Sequence, residues 1–303
     1  MLRRLPPWAL LLFPVAVGTL VMHSGGAPSS RWGLHLVAAL FGLVAHAAVV
    51  TLPPRSTARA SYALAAAAVV TLAGTLAATG LDGVHRWYAI GALRLHPSAL
   101  LTPMLVVLAG DLSRAHPPRA QALLAALQAV HLAQPDAGQA SATGAAALVI
   151  SLTSFKGNAR VVATLAHVAC VGVAWAMPDP LPPAPFVEDI VARALALGLP
   201  AAVAAVLALV ALVASPFVRP RSCDGIGPTE GALAACFAAS IIATTAGEFP
   251  VPLLGFGPSP VVGAFLGLAA LRRMRAGATT SLDARTATRD DDAPHLPRVG
   301  ATA

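Results

Sequence analysis

Charge is scarce in this 303-residue chain: only 11% of its residues are Asp, Glu, Lys or Arg, less than half the share of an ordinary soluble domain, about 25%. Set beside 57% hydrophobic residues and a mean hydropathy of +0.74, that shortage excludes a water-soluble globule. Lysine is almost missing, with Lys156 alone against nineteen arginines. Three cysteines, Cys170, Cys223 and Cys236, lack C-x-x-C spacing and cannot all pair among themselves, which excludes a disulfide framework and a zinc site. No Walker loop, Rossmann glycine pattern, GxSxG or HExxH stands in a meaningful context. Strand periodicity is too weak for a transmembrane barrel. The pI near 10.6 and net charge of +7 would suit a nucleic-acid partner if the arginines lined one face. They cluster instead between apolar runs, so no nucleic acid is expected.

What the sequence does have is apolar runs. A bilayer core of roughly 30 Å needs about 20 apolar residues per helix, fewer where neighbours bury a short one. Ten runs qualify, near 8–22, 33–53, 60–80, 98–113, 119–133, 137–155, 160–177, 190–218, 229–247 and 259–274. A signal peptide at the N-terminus is the rival reading of the first, but no convincing cleavage site follows it, and a retained helix is expected. Alternate connections hold thirteen basic residues on one side (Arg3, Arg4, Arg55, Arg59, Arg114, Arg119, Lys156, Arg160, Arg219, Arg221, Arg272, Arg273, Arg275) against Arg31, Arg86 and Arg94 on the other. The positive-inside tendency then puts both termini in the cytoplasm. The expected fold is an all-α integral membrane protein of about ten transmembrane helices, a polytopic domain over 1–276 followed by a polar, disordered cytoplasmic tail over 277–303. Pro14, Pro103 and Pro200 are expected kinks or punctuation.

Three outward connections carry polar chemistry. The stretch from Gly80 to Ser98 sets Arg86 and Arg94 beside Trp87 and Tyr88, and is suited to the headgroup layer, with rings at the interface and guanidinium groups towards phosphate. Asp136 stands where it can cap the sixth helix. A Pro-rich turn ends in Glu188 and Asp189, which read either as helix-start groups with Arg193 one turn on, or as a base for a substrate hydroxyl or a ligand for a divalent cation facing a diphosphate. Inside the runs, His35 and His46 share a helix face but lie about 16 Å apart at helical rise, too far for one metal. Neutral histidines bonding across helices are expected for these and for His131 and His167.

The order of these segments resembles the SEDS family, the shape, elongation, division and sporulation proteins of the FtsW and RodA type. Gly83-Val-His-Arg-Trp87, then Gly91 and Leu95-His-Pro-Ser98, is similar to the family's Gly-Ala-Arg-Arg-Trp, Gly and Leu-Gln-Pro-Ser. Gln134-Pro-Asp-Ala-Gly138 is similar to Gln-Pro-Asp-Leu-Gly, and Val251-Pro-Leu-Leu-Gly-Phe-Gly-Pro-Ser259 to Leu-Pro-Phe-x-Ser-Tyr-Gly-Gly-Ser. The resemblance implies a multi-pass protein of the bacterial cytoplasmic (inner) membrane in cell division or cell-shape control. It implies a peptidoglycan glycosyltransferase that polymerises lipid II, an undecaprenyl-diphosphate-linked disaccharide, on the outer face with a class B penicillin-binding protein. It assigns catalysis to Glu188 or Asp189, at the place of the family's essential aspartate, and substrate contacts to Arg86, Trp87, Arg94, His96, Ser98, Asp136 and Ser259. No metal ligand set is assigned; the one cofactor the carboxylates would admit is Mg²⁺ or Mn²⁺.

The chain departs from the family pattern where a charge pair should follow His96-Pro-Ser98: it has Ala99 and Thr102 in place of a glutamate and a lysine. The first arginine of the family pair is His85, and the outer loop between the seventh and eighth helices shrinks to about a dozen residues. Two alternatives therefore stand beside the enzyme: a catalytically impaired relative acting as a membrane scaffold in envelope growth, and a lipid or small-molecule transporter, for which intramembrane histidines and Pro-broken helices would be the motive.

Overall fold

The computed structural model describes residues 6–51, 58–91, 93–218 and 227–291, with the backbone alone described at 58, 59, 61 and 277–291. Arg3, Arg4, Arg55, Arg219, Arg221 and Cys223 lie outside the described residues, as do 292–303. Each of the ten apolar runs folds as helix: α1 Ala9–Ser24, α2 Ser29–Thr51, α3 Ala58–Gly74, α4 Pro97–Ala115, α5 Pro117–Ala133, α6 Ala137–Ser154, α7 Gly157–Ala176, α8 Ile190–Ala196, α9 Leu199–Ala214, α10 Pro228–Ala243 and α11 Pro258–Asp291. The eighth run is two helices rather than one. Gly198 takes φ +115, a conformation open to glycine, and Pro200 lacks the N–H that would carry the helix through, so α8 ends and α9 starts anew. α11 continues to Asp291 through a stretch whose composition suggests a disordered tail. A helix already nucleated by packed turns extends at little cost per residue.

α2, α4, α7 and the α9 segment Leu199–Phe217 are long and apolar enough to cross a bilayer, and three shorter apolar helices accompany them. The large apolar side chains Val37, Leu40, Phe41 and Val44 of α2, Val161, Val162 and Leu165 of α7, and Leu199, Val206 and Val210 of α9 are exposed. Faces of that size and composition are incompatible with water and suit lipid. This is a membrane protein.

The bundle is built around α4, α6, α10 and α11, with α10 against α6 and α11 against both α2 and α4. Leu105, Leu124, Ile150, Leu233 and Phe265 lie in its main buried core. With alanine so frequent, backbones approach closely, as expected where lipid offers no hydrophobic drive for helix association. A Cβ on Gly263 would stand 2.2 Å from the Ala99 carbonyl oxygen of α4, and one on Gly18 at 2.2 Å from that of Leu254. Gly263→Ala is therefore expected to push α11 from α4 and destabilise the protein by about 1–3 kcal/mol, seen as a lower thermal unfolding temperature in detergent. Native-like unfolding would show that the two helices are not held at this distance.

Three of the four histidines of the apolar runs bond across helices as expected, and His35 bonds instead to the turn before α11. His35 Nε2 meets the Leu253 carbonyl at 3.1 Å and His46 Nδ1 that of Phe265 at 3.1 Å. His131 meets Thr143 Oγ1 of α6 at 3.1 Å, and His167 meets Gln121 Oε1 of α5 at 2.7 Å.

Candidate functional site

The stretch after α3 closes as a hairpin, β1 Tyr88–Ile90 against β2 Leu93–Leu95, turning at Gly91 with φ +59. Residues flanking this hairpin reach the protein interior. Arg86 is buried, 4% exposed: Nε donates to the Gln134 carbonyl at 3.1 Å, Nη2 donates to the Pro135 carbonyl, and Nη1 pairs with Asp179 at 2.8 Å. Its guanidinium stands 5.9 Å from the Trp87 ring, and that ring in turn packs on His96 at 5.7 Å. Arg94 separates from this group. It is exposed on β2 opposite Ala89, and none of the contacts joining the cluster involves it among the described residues.

Asp136 occupies the middle of the cluster. Oδ1 accepts from the Gln139 N–H at 3.0 Å, which is the helix cap expected from sequence, while Oδ2 accepts from His96 Nε2 at 2.9 Å. Burial alone would raise this carboxyl. The hydrogen bond from His96 and the charges of Arg86, His96 and His131 outweigh it and hold the group well below the usual carboxylate range. Ser98 Oγ donates to Gln134 Oε1 at 3.0 Å, and Gln134 Nε2 donates to Thr75 Oγ1 at 2.6 Å and to the Leu72 carbonyl at 3.2 Å. Ser259, at the start of α11, accepts from the His96 N–H at 2.9 Å. The hydroxyls of Ser98 and Ser259 are thus engaged in tying α3, α4, the 134–136 turn and α11 together.

Below the cluster, a cavity between α4, α6 and α10 is lined by His96, Ala99, Pro103, Asp136, Phe249 and Pro252, and about 50 Å³ of it admits the centre of a water molecule. That is room for a few waters and not for a sugar ring. Ala99 stands in its wall, and Thr102, one turn on in α4, has a buried Oγ1 without a hydrogen-bond partner.

The two acidic candidates lie in the turn before α8 and do not line this cavity. Asp189 Oδ1 accepts from the Phe186 N–H at 2.6 Å and Oδ2 from Arg193 at 2.7 Å. It braces its own turn, with no side-chain cap on α8, and Arg193 lies 3.9 Å from the centre of the Phe186 ring. Glu188 Oε2 accepts from the Ala184 N–H at 2.7 Å. Burial raises its carboxyl. The N–H groups of Ala184 and of Glu188 itself work against that, and the negative charges of Glu248 and Asp189 add to it, leaving it above the usual glutamate range. The turn is stitched to the Val251–Ser259 motif, since Val251 N–H donates to the Val187 carbonyl and Phe256 N–H to that of Phe186 at 2.7 Å.

Among the described residues no group of three His, Cys, Asp or Glu side chains could hold a metal. Asp189 has both oxygens committed, so a divalent cation would have Glu188 and its ligand's own oxygens but no protein cage. Sequence reasoning missed Gln134 as a hub, Asp179 as the partner of Arg86, and Glu248 as a charge acting on Glu188. Gln134 alone had a signal, its place in the Gln-Pro-Asp motif.

No curated protein sequence matches the chain. The fold is similar to that of the rod shape determining protein RodA of Thermus thermophilus, with a TM-score of 0.58 and 19% identity over 88% of this chain and 94% of that one. It is also similar to a chain in a structure titled "Structural coordination of polymerization and crosslinking by a peptidoglycan synthase complex", with a TM-score of 0.61 and 19% identity over 88% of this chain and 97% of that one. The family model FTSW_RODA_SPOVE, described as "Cell cycle protein", matches residues 8–179. With its three motifs joined in one buried cluster, its RodA-like bundle and more than half of its length matched by the family model, the chain belongs to the SEDS (FtsW, RodA and SpoVE) family of cell cycle proteins.

Proposed function

We propose that this protein is a SEDS glycosyltransferase that joins lipid II disaccharides at the outer face of the bacterial cytoplasmic membrane, in cell division or cell-shape control, with a class B penicillin-binding protein as partner. The observation that carries this reading is the convergence of Arg86, Gln134, Asp136, His96, Ser98 and Ser259, drawn from three separated motifs, on one buried cluster at one end of the bundle. In this reading the polypeptide crosses the membrane ten times with both termini cytoplasmic, and the cluster faces outward. A peptidoglycan synthase complex as the setting of a similar chain supports a penicillin-binding partner.

In the reaction, Glu188 takes the proton of the acceptor sugar hydroxyl as that oxygen attacks the anomeric carbon of the donor. The bond from that carbon to the diphosphate breaks, and Arg86 balances the departing charge. Asp136 stays ionised and holds His96, and through it the floor of the site. Mg²⁺ or Mn²⁺ at Glu188, if bound, would share the neutralisation of the diphosphate.

The test is formation of glycan chains from labelled lipid II by the purified protein with its penicillin-binding partner. The rate is expected to rise with pH as Glu188 loses its proton, through a midpoint above the ordinary glutamate value of 4.5. Glu248→Gln removes a like charge and moves that midpoint to lower pH. A profile indifferent to Glu248 would remove Glu188 from the role of base.

A second reading is favoured by specific observations. Ala99 and Thr102 replace the family's charge pair, and the cavity beneath the cluster is small. A relative without polymerase activity, acting as a membrane scaffold, would bind the penicillin-binding partner normally while producing no glycan. Movement of lipid across liposomes, indifferent to Glu188 and Asp189, would instead indicate a transporter.

A further inference from the structure

Arg86 already holds an anion. Nε and Nη2 are committed to the Gln134 and Pro135 carbonyls, which leaves Nη1 as the corner of the guanidinium that takes a negative charge, and Asp179 fills it at 2.8 Å. The two partners differ in kind. Arg86 is embedded, its side chain 5% exposed, while that of Asp179 is 26% exposed and comes from the Pro178–Pro183 stretch, which has no regular secondary structure. Apart from Arg86, Asp179 has a long bond at 3.3 Å from the Leu181 N–H. An arginine clamped from behind by carbonyls and covered by a surface carboxylate is a built anion position whose occupant is tethered and displaceable.

We infer that Asp179 is a specificity-determining residue: it competes internally for Arg86 and so reserves that guanidinium for a diphosphate ester against the phosphodiesters of surrounding lipid. The inference rests on the assignment of Arg86 to the diphosphate made above. A tethered competitor acts at an effective concentration in the mM range and weakens every incoming anion by a common factor. A phosphodiester carries one negative charge, as the carboxylate does, and gains no Coulomb energy by replacing it. At lipid concentrations it is pushed below occupancy. A diphosphate brings more charge on adjacent oxygens and still displaces Asp179. The ratio of the two affinities is unchanged; the discrimination is one of occupancy, because the common obstacle leaves the weaker ligand unbound at its working concentration and the stronger one bound.

Asp179→Asn keeps the shape and removes the charge. With the full chain in maltoside micelles, which lack phosphate, D179N is expected to bind inorganic pyrophosphate about tenfold more tightly than the native protein. In phosphatidylglycerol nanodiscs that ratio should fall but stay above one, because lipid phosphodiesters now compete for Arg86 in D179N while Asp179 still keeps them off it in the native protein; a ratio of one there overturns the inference. Farnesyl diphosphate binding more tightly than pyrophosphate would identify the ligand as lipid-linked, and equal binding as the free anion. A ratio of one in micelles overturns the inference if Arg86→Gln still abolishes binding. Pyrophosphate binding that ignores R86Q overturns both the inference and the diphosphate assignment beneath it. Should D179N fail to fold, the native chain decides: saturating pyrophosphate must speed amide exchange at Leu181 and Ala184, and unchanged or slowed exchange overturns the displacement.

Discussion

Replacing Asp136 with alanine is expected to cost about 3–5 kcal/mol of stability, the range for removing one partner of a buried charge pair. The side chain is 2% exposed and carries three burdens: the cap on α6, the acceptor for His96, and the negative charge that Arg86 faces. The cap alone is worth about 1 kcal/mol, so most of the loss comes from a histidine and an arginine left buried with less compensation. Asp136→Asn keeps the cap geometry and should lose less. The pH dependence has a definite sign. Because the folded carboxyl titrates below its unfolded value of about 3.9, the stabilisation is complete above that value and disappears as the pH falls through the folded one. The gap between native protein and D136A should therefore hold from neutral pH down to about pH 4 and narrow only in stronger acid. Thermal unfolding in detergent at several pH values measures it. A gap below about 0.5 kcal/mol, the size of an ordinary surface change, would mean that the cluster does not anchor this end of the bundle.

Glu188→Gln is expected to lower glycan polymerisation by about 10²–10⁴-fold, the usual contribution of a positioned general base, with the unfolding temperature little changed. Asp189→Asn should behave differently. Its carboxylate holds the Phe186 N–H and Arg193, so its loss loosens the turn that presents Glu188, with a fall in both stability and activity. The Glu188 carboxyl is raised above the usual glutamate range, so it accepts a proton more readily than an ordinary glutamate. Equal activity in E188Q and native protein would refute the assignment, and loss in D189N with a native unfolding profile would transfer the role to Asp189.

The helical class, the ten apolar runs that fold as helix and the membrane environment were legible in the chain because each rests on local composition: long apolar runs and the scarcity of charge. The break in the eighth run was signalled by Pro200 alone, and the +115° torsion at Gly198 makes it a new helix rather than a kink. The Asp136 cap was legible for the same reason, being made within four residues. Arg86 was not. Its sequence neighbours Trp87 and Tyr88 suggested a headgroup anchor, yet the carbonyls of Gln134 and Pro135 wait nearly fifty residues away and draw it inside. Arg94, alike in type and neighbourhood, stays on the surface because β2 pairs it with Ala89 across a hairpin of only two short strands.

Composition and spacing by themselves determined the solvent, the helical class and the family, since bilayer thickness and backbone hydrogen bonding in lipid leave a chain of this hydropathy no other architecture. Tertiary structure alone decided which polar side chains share one enclosure and how firmly each carboxylate of the turn before α8 is held. Those outcomes depend on long-range contacts between α3, α4, the 134–136 turn, the 178–189 turn and α11, and on the low dielectric that their packing creates, neither of which is a property of any single stretch of sequence.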